Sequence, residues 1–142
     1  MTVIWYSQPV RHAMARGMLL RNPEATAKEL DQFLNYPETP SITILIADWI
    51  SGFRGDSEEA FERFKNDTYL EKKNGEKIAV EEVVLPKRRG HPLLLRFPKE
   101  SGGKSLLRLD DQEVSLVTRV GPLRIKAKFK LAELVVRDKL AL

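Results

Sequence analysis

The sequence predicts an α+β fold whose body is an antiparallel β-sandwich, with helical material at its front. Three observations predict it. From Thr68 onward the chain divides into six to eight short apolar-alternating runs, spaced about 8 to 12 residues apart as sandwich strands are. The breaks between them are hairpin-type turn signals such as Asn74-Gly75 and Gly121-Pro122, which join antiparallel neighbours. Helical spacing is confined to the stretch before Asp67. With 142 residues and 42% apolar content, the chain predicts one domain, 1–142. Within it, 1–66 is a helical segment plus one buried strand, and 67–142 is the antiparallel β region. A chain of this size removes roughly 70% of its unfolded surface from water, so one core suffices without a disulfide or metal staple.

Residues 9–20 show no clear period. Asn22-Pro23-Glu24 then reads as a helix start, since Asn caps, Pro is tolerated at the first helical position and an acid suits the positive end of the dipole. Thr26 and Glu29 offer a second capping box. Ala27, Leu30, Phe33 and Leu34 fall on one face, and Pro37 ends the pattern. The run Ile42 to Ile50 is β-branched and apolar on both faces, the pattern of a buried central strand. After Gly52 and Gly55, Asp56 or Ser57 caps a short helix through about Asn66, burying Ala60, Phe61 and Phe64.

Lys73-Asn74-Gly75-Glu76 fits a type I′ hairpin turn, which pairs Lys73 with Glu76 and Tyr69 with Val80. The second arm, Ile78 to Leu85, changes phase across Glu81-Glu82, as a β-bulge would make it do. Lys87 to Gly90 is a basic loop, Leu93 to Phe97 a strand between two prolines, Ser101-Gly102-Gly103 a turn, and Leu106 to Leu109 a further strand. In the last hairpin Gly121-Pro122 fits a type II′ turn with Gly first. Counting back pairs Val120 with Leu123, Thr118 with Ile125, Leu116 with Ala127 and Val114 with Phe129. One face is therefore core. The other carries Arg119 across from Arg124, then Lys126, Lys128 and Lys130, with Glu113 as the one nearby acid and no aromatic interleaved. A final strand spans about Leu134 to Leu140.

The stretch Asp67-Thr68-Tyr69-Leu70, the Asn-Gly hairpin, Arg96-Phe97-Pro98, and Lys128-Phe129-Lys130-Leu131 followed by Arg137-Asp138-Lys139-Leu140 resembles the C-terminal immunoglobulin-like β domains of uncharacterised bacterial envelope and secreted proteins. The resemblance covers about the last 75 residues. It implies an antiparallel immunoglobulin-like β-sandwich with an N-terminal helical segment and an envelope or secreted location. It implies no activity. Met1 to Tyr6 has no charged n-region or apolar stretch of signal-peptide length, which as written predicts the cytoplasm unless a leader precedes it.

Composition excludes several function classes. Zero Cys removes disulfides, cysteine-ligated zinc, iron–sulfur ligation and thiol nucleophiles, and two His leave no histidine-rich metal site. Ile42 to Ile50 reaches about half of a ~20-residue membrane span and contains Asp48. Charge is uneven: through Leu70 seven Lys/Arg face ten Asp/Glu, net −3, whereas from Glu71 seventeen face ten, net +7. Such asymmetry suits either an anionic partner or a solvated surface.

Catalytic motifs fare poorly. Pro98 to Ser105 reads P-x-x-x-x-G-K-S, but a phosphate loop needs Gly in place of Pro98 and a following helix, so it reads as a hairpin turn. No G-x-S-x-G elbow exists. His91 lies in the basic loop with Lys87, Arg88 and Arg89 and reads as a solvated side chain rather than a general base. Glu81-Glu82 and Asp110-Asp111 point to opposite sides of a strand. Glu71-Lys72-Lys73, with Asp48 and Asp67 upstream, loosely matches a Mg²⁺-dependent nuclease set, although Lys73 already has Glu76 across the hairpin. Asp48, alone in an apolar run, fits a solvated strand end, because a buried carboxylate needs a partner.

Three functions stand open. The first is a non-enzymatic protein-interaction or structural module with another protein as partner and no cofactor, metal or catalytic residue. The second is a basic module for nucleic acid or another polyanion, using Arg119, Arg124, Lys126, Lys128 and Lys130. The third is a metal-dependent hydrolase.

Overall fold

A computed structural model describes residues 2–7, 10, 13, 16–17, 20–21, 24, 41–47, 57–87, 91–136 and 139–140. The strands are β1 (Thr2–Trp5), β2 (Ser41–Ala47), β3 (Tyr69–Lys72), β4 (Lys77–Ala79), β5 (Glu82–Val84), β6 (Leu93–Pro98), β7 (Glu100–Ser101), β8 (Lys104–Ser105), β9 (Glu113–Val120), β10 (Leu123–Lys130), β11 (Val135–Val136) and β12 (Lys139–Leu140), and helix α1 is Glu58–Asn66. Two four-stranded sheets have the orders β1-β2-β6-β5 and β10-β9-β3-β4, and β7-β8 and β11-β12 form small hairpins. Every strand pairing among the described residues is antiparallel. The chain is α+β and mostly antiparallel sheet, as expected. The helix expected from Asn22, the end of the Ile42 to Ile50 run with Asp48, His12 and the Arg88 to Gly90 loop lie outside the described residues.

Alternation along the strands builds the core. Trp5, Ile42, Ile44, Ile46, Leu93, Leu95 and Phe97 from the first sheet meet Leu70, Ile78, Val114 and Leu116 from the second in one buried cluster, joined by Phe64, Val80, Leu107 and Leu131. Trp5 and Phe129, on strands at the margins of the two sheets, meet edge to face with ring centroids 5.1 Å apart. Leu45 is buried yet stands outside that cluster, because register places Ile4, Leu45, Leu94 and Val84 in one row across the opposite face of the first sheet. The two-sided apolar pattern of β2 therefore has the cause expected, burial on both faces.

Helix α1 starts where the sequence places it. The Ser57 hydroxyl accepts from the Ala60 N–H at 3.1 Å, satisfying one of the free amides of the first turn. Of the three side chains expected inside, Phe64 is buried, and Ala60 and Phe61 are half-buried. At the helix end Thr68 enters the core and its hydroxyl meets that of Thr118 at 2.6 Å.

Several expectations need correction. The β3–β4 hairpin pairs Tyr69 with Ala79, Leu70 with Ile78 and Glu71 with Lys77, one residue off the register expected from a type I′ turn. Only Gly75 has positive φ, at 90°, while Asn74 does not. The Asn74 side chain instead accepts from the Glu76 N–H at 2.9 Å, and the Lys72 N–H donates to the Glu76 carbonyl at 2.8 Å. This three-residue loop with Gly at the left-handed position brings Leu70 and Ile78 together inside; a one-residue slip would turn one of them out. The phase change across Glu81-Glu82 is real, but it is no bulge in a single ladder. The Val80 N–H donates to the carbonyl of Thr68, just before β3 of the second sheet, at 3.3 Å, and the Glu81 N–H to that of Arg96 in the first sheet at 2.8 Å, so the chain passes from one sheet to the other between β4 and β5.

Leu106 to Leu109 is not a strand. Leu107 fills the core from an irregular connection and Leu109 opens a 3₁₀ turn, Leu109–Asp111. Strand pairing ends instead in the β7–β8 hairpin, where Gly102 and Gly103 both take positive φ, 59° and 77°. The single final strand is two short ones, with Val135 opposite Leu140. Thr2–Trp5, considered above only as an export signal, is an edge strand.

Candidate anion-binding face

The five cations singled out from the sequence do share one surface. β9–β10 pairing is as expected, with Val120 opposite Leu123, Arg119 opposite Arg124, Thr118 opposite Ile125, Leu116 opposite Ala127 and Val114 opposite Phe129. Gly121 has φ 56°, which suits the first position of a type II′ turn. Along β10 exposure alternates, so Arg124, Lys126, Lys128 and Lys130 face water, while Ile125, Ala127 and Phe129 are half-buried beneath.

The docking of β3 and β4 beside β9 adds residues that the hairpin alone does not reveal. One row across the outer face runs Lys126, Val117, Tyr69, Ala79, and the next runs Lys128, Ser115, Glu71, Lys77. Glu113 is therefore not the only acid nearby. Lys126 pairs with Glu71 at 3.4 Å, Lys128 with Glu113 at 2.9 Å and Lys130 with Glu133 at 3.6 Å. An aromatic is also present, because Tyr69 lies on this face, but the Lys77 ammonium sits 4.5 Å from its ring centroid. Val117, between Lys126 and Tyr69, is 3% exposed, consistent with long polar side chains laying their stems over apolar surface. Arg119 and Arg124 differ from the lysines: both are exposed, and neither has an ion pair among the described residues.

The Glu113 carboxyl is held below the usual carboxylate range, first by the hydrogen bond from Lys128 and then by the charges of Lys128, Lys73 and Lys130, against an opposing desolvation. A carboxyl whose pKa is depressed by folding stabilises the fold above its unfolded pKa, and that contribution is lost as pH falls through the folded value. Lys128→Met is accordingly expected to raise the Glu113 midpoint toward the ordinary range, read from its side-chain carboxyl carbon in an NMR titration under acid. An unmoved midpoint would remove Lys128 as the cause.

At the end of the hairpin away from its tip, Leu109, Gln112, Glu113, Lys130, Ala132 and Val135 line an open groove of about 450 Å³. Gln112 adopts φ 62° and ψ −55°, the strained γ-turn region. Three bonds hold it there: its N–H donates to the Leu109 carbonyl at 3.1 Å, its carbonyl accepts from the Leu131 N–H at 2.8 Å, and its side-chain oxygen accepts from Lys73 Nζ at 2.8 Å.

Among the described residues no catalytic set converges. Lys73 binds Gln112, not Glu76; Lys72 takes Glu76 at 3.1 Å and Asp111 at 3.4 Å, and Glu71 turns to Lys126. Asp67 ends α1, its N–H donating to the Arg63 carbonyl at 3.0 Å. Asp110 meets Arg108 at 3.6 Å. Lys104 and Ser105 form β8 with no helix behind them, and His91 is exposed before β6. Among the described residues no three His, Cys, Asp or Glu side chains gather to hold a metal ion, and no helix is long and apolar enough to cross a membrane.

The chain matches no family model, no curated protein and no solved structure. The face must therefore be interpreted from its own chemistry. Three residues belonging to it, Tyr69, Glu71 and Lys77, were missed in the sequence. Their alternation with Leu70 and Ile78 was visible, but their place beside Val117 and Ser115 depends on β3 pairing with β9, some forty-five residues away.

Proposed function

We propose that this chain is a non-enzymatic interaction module that engages an anionic partner through the outer face of the second sheet. The observation that carries this is the Arg119–Arg124 pair. The two guanidiniums are direct cross-strand partners and have no acid of their own among the described residues, while each lysine beside them has one. Like charges directly opposite destabilise a sheet by up to about 1 kcal/mol, and a bound anion relieves that repulsion. Arg also offers paired donors matching a carboxylate or phosphate. Two four-stranded antiparallel sheets around one core favour an immunoglobulin-like sandwich as the scaffold. The Lys77 ammonium over Tyr69 counts against a reader of single-stranded nucleic acid, which stacks bases on open aromatic faces.

Titration with heparin and with polyglutamate over a range of salt tests the proposal. Affinity is expected to fall linearly on a log–log plot as salt rises, and Arg119→Gln/Arg124→Gln to weaken binding by about tenfold or more at low salt, on about fivefold for each exposed guanidinium. A flat salt dependence, or no binding at ~50 mM salt, rules the function out.

A further inference from the structure

We infer that the anionic partner is a phospholipid surface, met by the tip of the β9–β10 hairpin. This rests on the anionic-partner reading above and adds what the charges alone do not specify. Leu123, the first residue after the turn, is 67% exposed, and Pro122 beside it is exposed as well. Among the described residues nothing crowds the turn: beyond its two chain neighbours, a side-chain carbon added at Gly121 would meet no atom within 4 Å. The tip therefore projects as a small apolar point, a convex shape suited to a deformable surface. An acidic polypeptide or a polynucleotide would satisfy the guanidiniums but would leave Leu123 in water.

The register sets the charges at the right depth. Val120 and Leu123 close the turn, and Arg119 and Arg124 form the next pair, set back by about 3.3 Å of strand rise. Interfacial elements sink about 5–10 Å into the boundary between headgroups and acyl chains. At that depth Leu123, which leaves the ribbon on the side opposite Arg119 and Arg124, enters the acyl boundary, and the long arginine side chains reach back to lipid phosphates, each able to form two parallel hydrogen bonds. Lys126, Lys128 and Lys130, their charges balanced by their own acids, stand progressively farther from the tip and leave the contact to the two arginines.

Burying one leucine side chain corresponds to about tenfold or more in partitioning, and each basic residue near an anionic leaflet to about fivefold. Neither contribution alone anchors a protein, so binding requires both. The test is co-sedimentation of the full chain with phosphatidylcholine vesicles, with and without phosphatidylserine, at low salt. Partitioning is expected only onto the vesicles containing phosphatidylserine. Leu123→Ser is expected to lower it about tenfold while leaving heparin and polyglutamate binding unchanged, whereas Arg119→Gln/Arg124→Gln lowers all three. Leu123→Trp is expected to keep partitioning and to show a blue-shifted emission on those vesicles alone. Polyanion binding without vesicle binding, or vesicle binding indifferent to Leu123→Ser, overturns the lipid assignment and leaves an acidic macromolecule as the partner. Loss of both polyanion and vesicle binding overturns the anionic-partner reading with it.

Discussion

Phe97→Ala is expected to cost about 3–5 kcal/mol of stability, the range for truncating a fully buried aromatic. Phe97 is 0% exposed and stands on β6, opposite Ile42 of β2. Its ring belongs to the cluster to which both sheets contribute, so the void would open between the sheets, where neither can close on it alone. Small domains hold only about 5–15 kcal/mol in total, so the variant loses a large share of its stability. Urea denaturation is expected to show a lower midpoint with an unchanged slope. A loss under about 1 kcal/mol would mean that the site repacks, against the usual behaviour of such cores. Leu123→Ser, at the exposed tip, is the matched control and should unfold with the parent chain.

Thr68→Val is expected to be more damaging than Thr118→Val, although both remove one hydroxyl of the same buried pair. Thr68 Oγ1 donates to the Phe64 carbonyl at 2.7 Å and lies 2.6 Å from Thr118 Oγ1. A hydroxyl has one proton to give. Because that of Thr68 goes to the carbonyl, the proton between the two oxygens comes from Thr118. Removing Thr118 leaves Thr68 still donating. Removing Thr68 takes away both the donor to the end of α1 and the acceptor of Thr118, whose hydroxyl is then buried without that partner, at about 1–3 kcal/mol. In a double-mutant cycle the double variant is expected to lose less than the sum of the singles, since the second substitution removes the group the first left unsatisfied. Equal single losses would reverse the proton assignment.

The β9–β10 hairpin was legible in the sequence because strict alternation on both arms and a two-residue Gly-Pro turn determine register together; every expected pair formed. For β3–β4 the turn residues were legible but the loop length was not. Asn74 supplies its own side-chain oxygen to the Glu76 amide, and this local bond favours the three-residue loop over the two-residue one. Leu106 to Leu109 had enough apolar residues for a strand. Whether an apolar run joins a ladder or drops one side chain into the core, as Leu107 does, depends on a neighbouring strand that local sequence does not specify. The five cations were likewise found from alternation alone. Their division into three paired lysines and two arginines with no ion pair among the described residues comes from Glu71 and Glu133, one brought in by a distant strand and the other by the 3₁₀ turn Leu131–Leu134.

The passage of the chain between the two sheets at Val80 and Glu81 carries a consequence for how it can vary. These adjacent amides bond to Thr68, beside the second sheet, and to Arg96, in the first, and the side chains on either side already face correctly, with Ile78 and Val80 inward before the junction and Val83 and Leu85 packed against the core after it. Adding or removing one residue here would invert every side chain of β5 relative to its sheet, turning Val83 away from the core and Glu82 toward it. The segment can therefore accept changes of residue far more readily than changes of length, and insertions among natural variants should fall in the flanking loops and spare this junction.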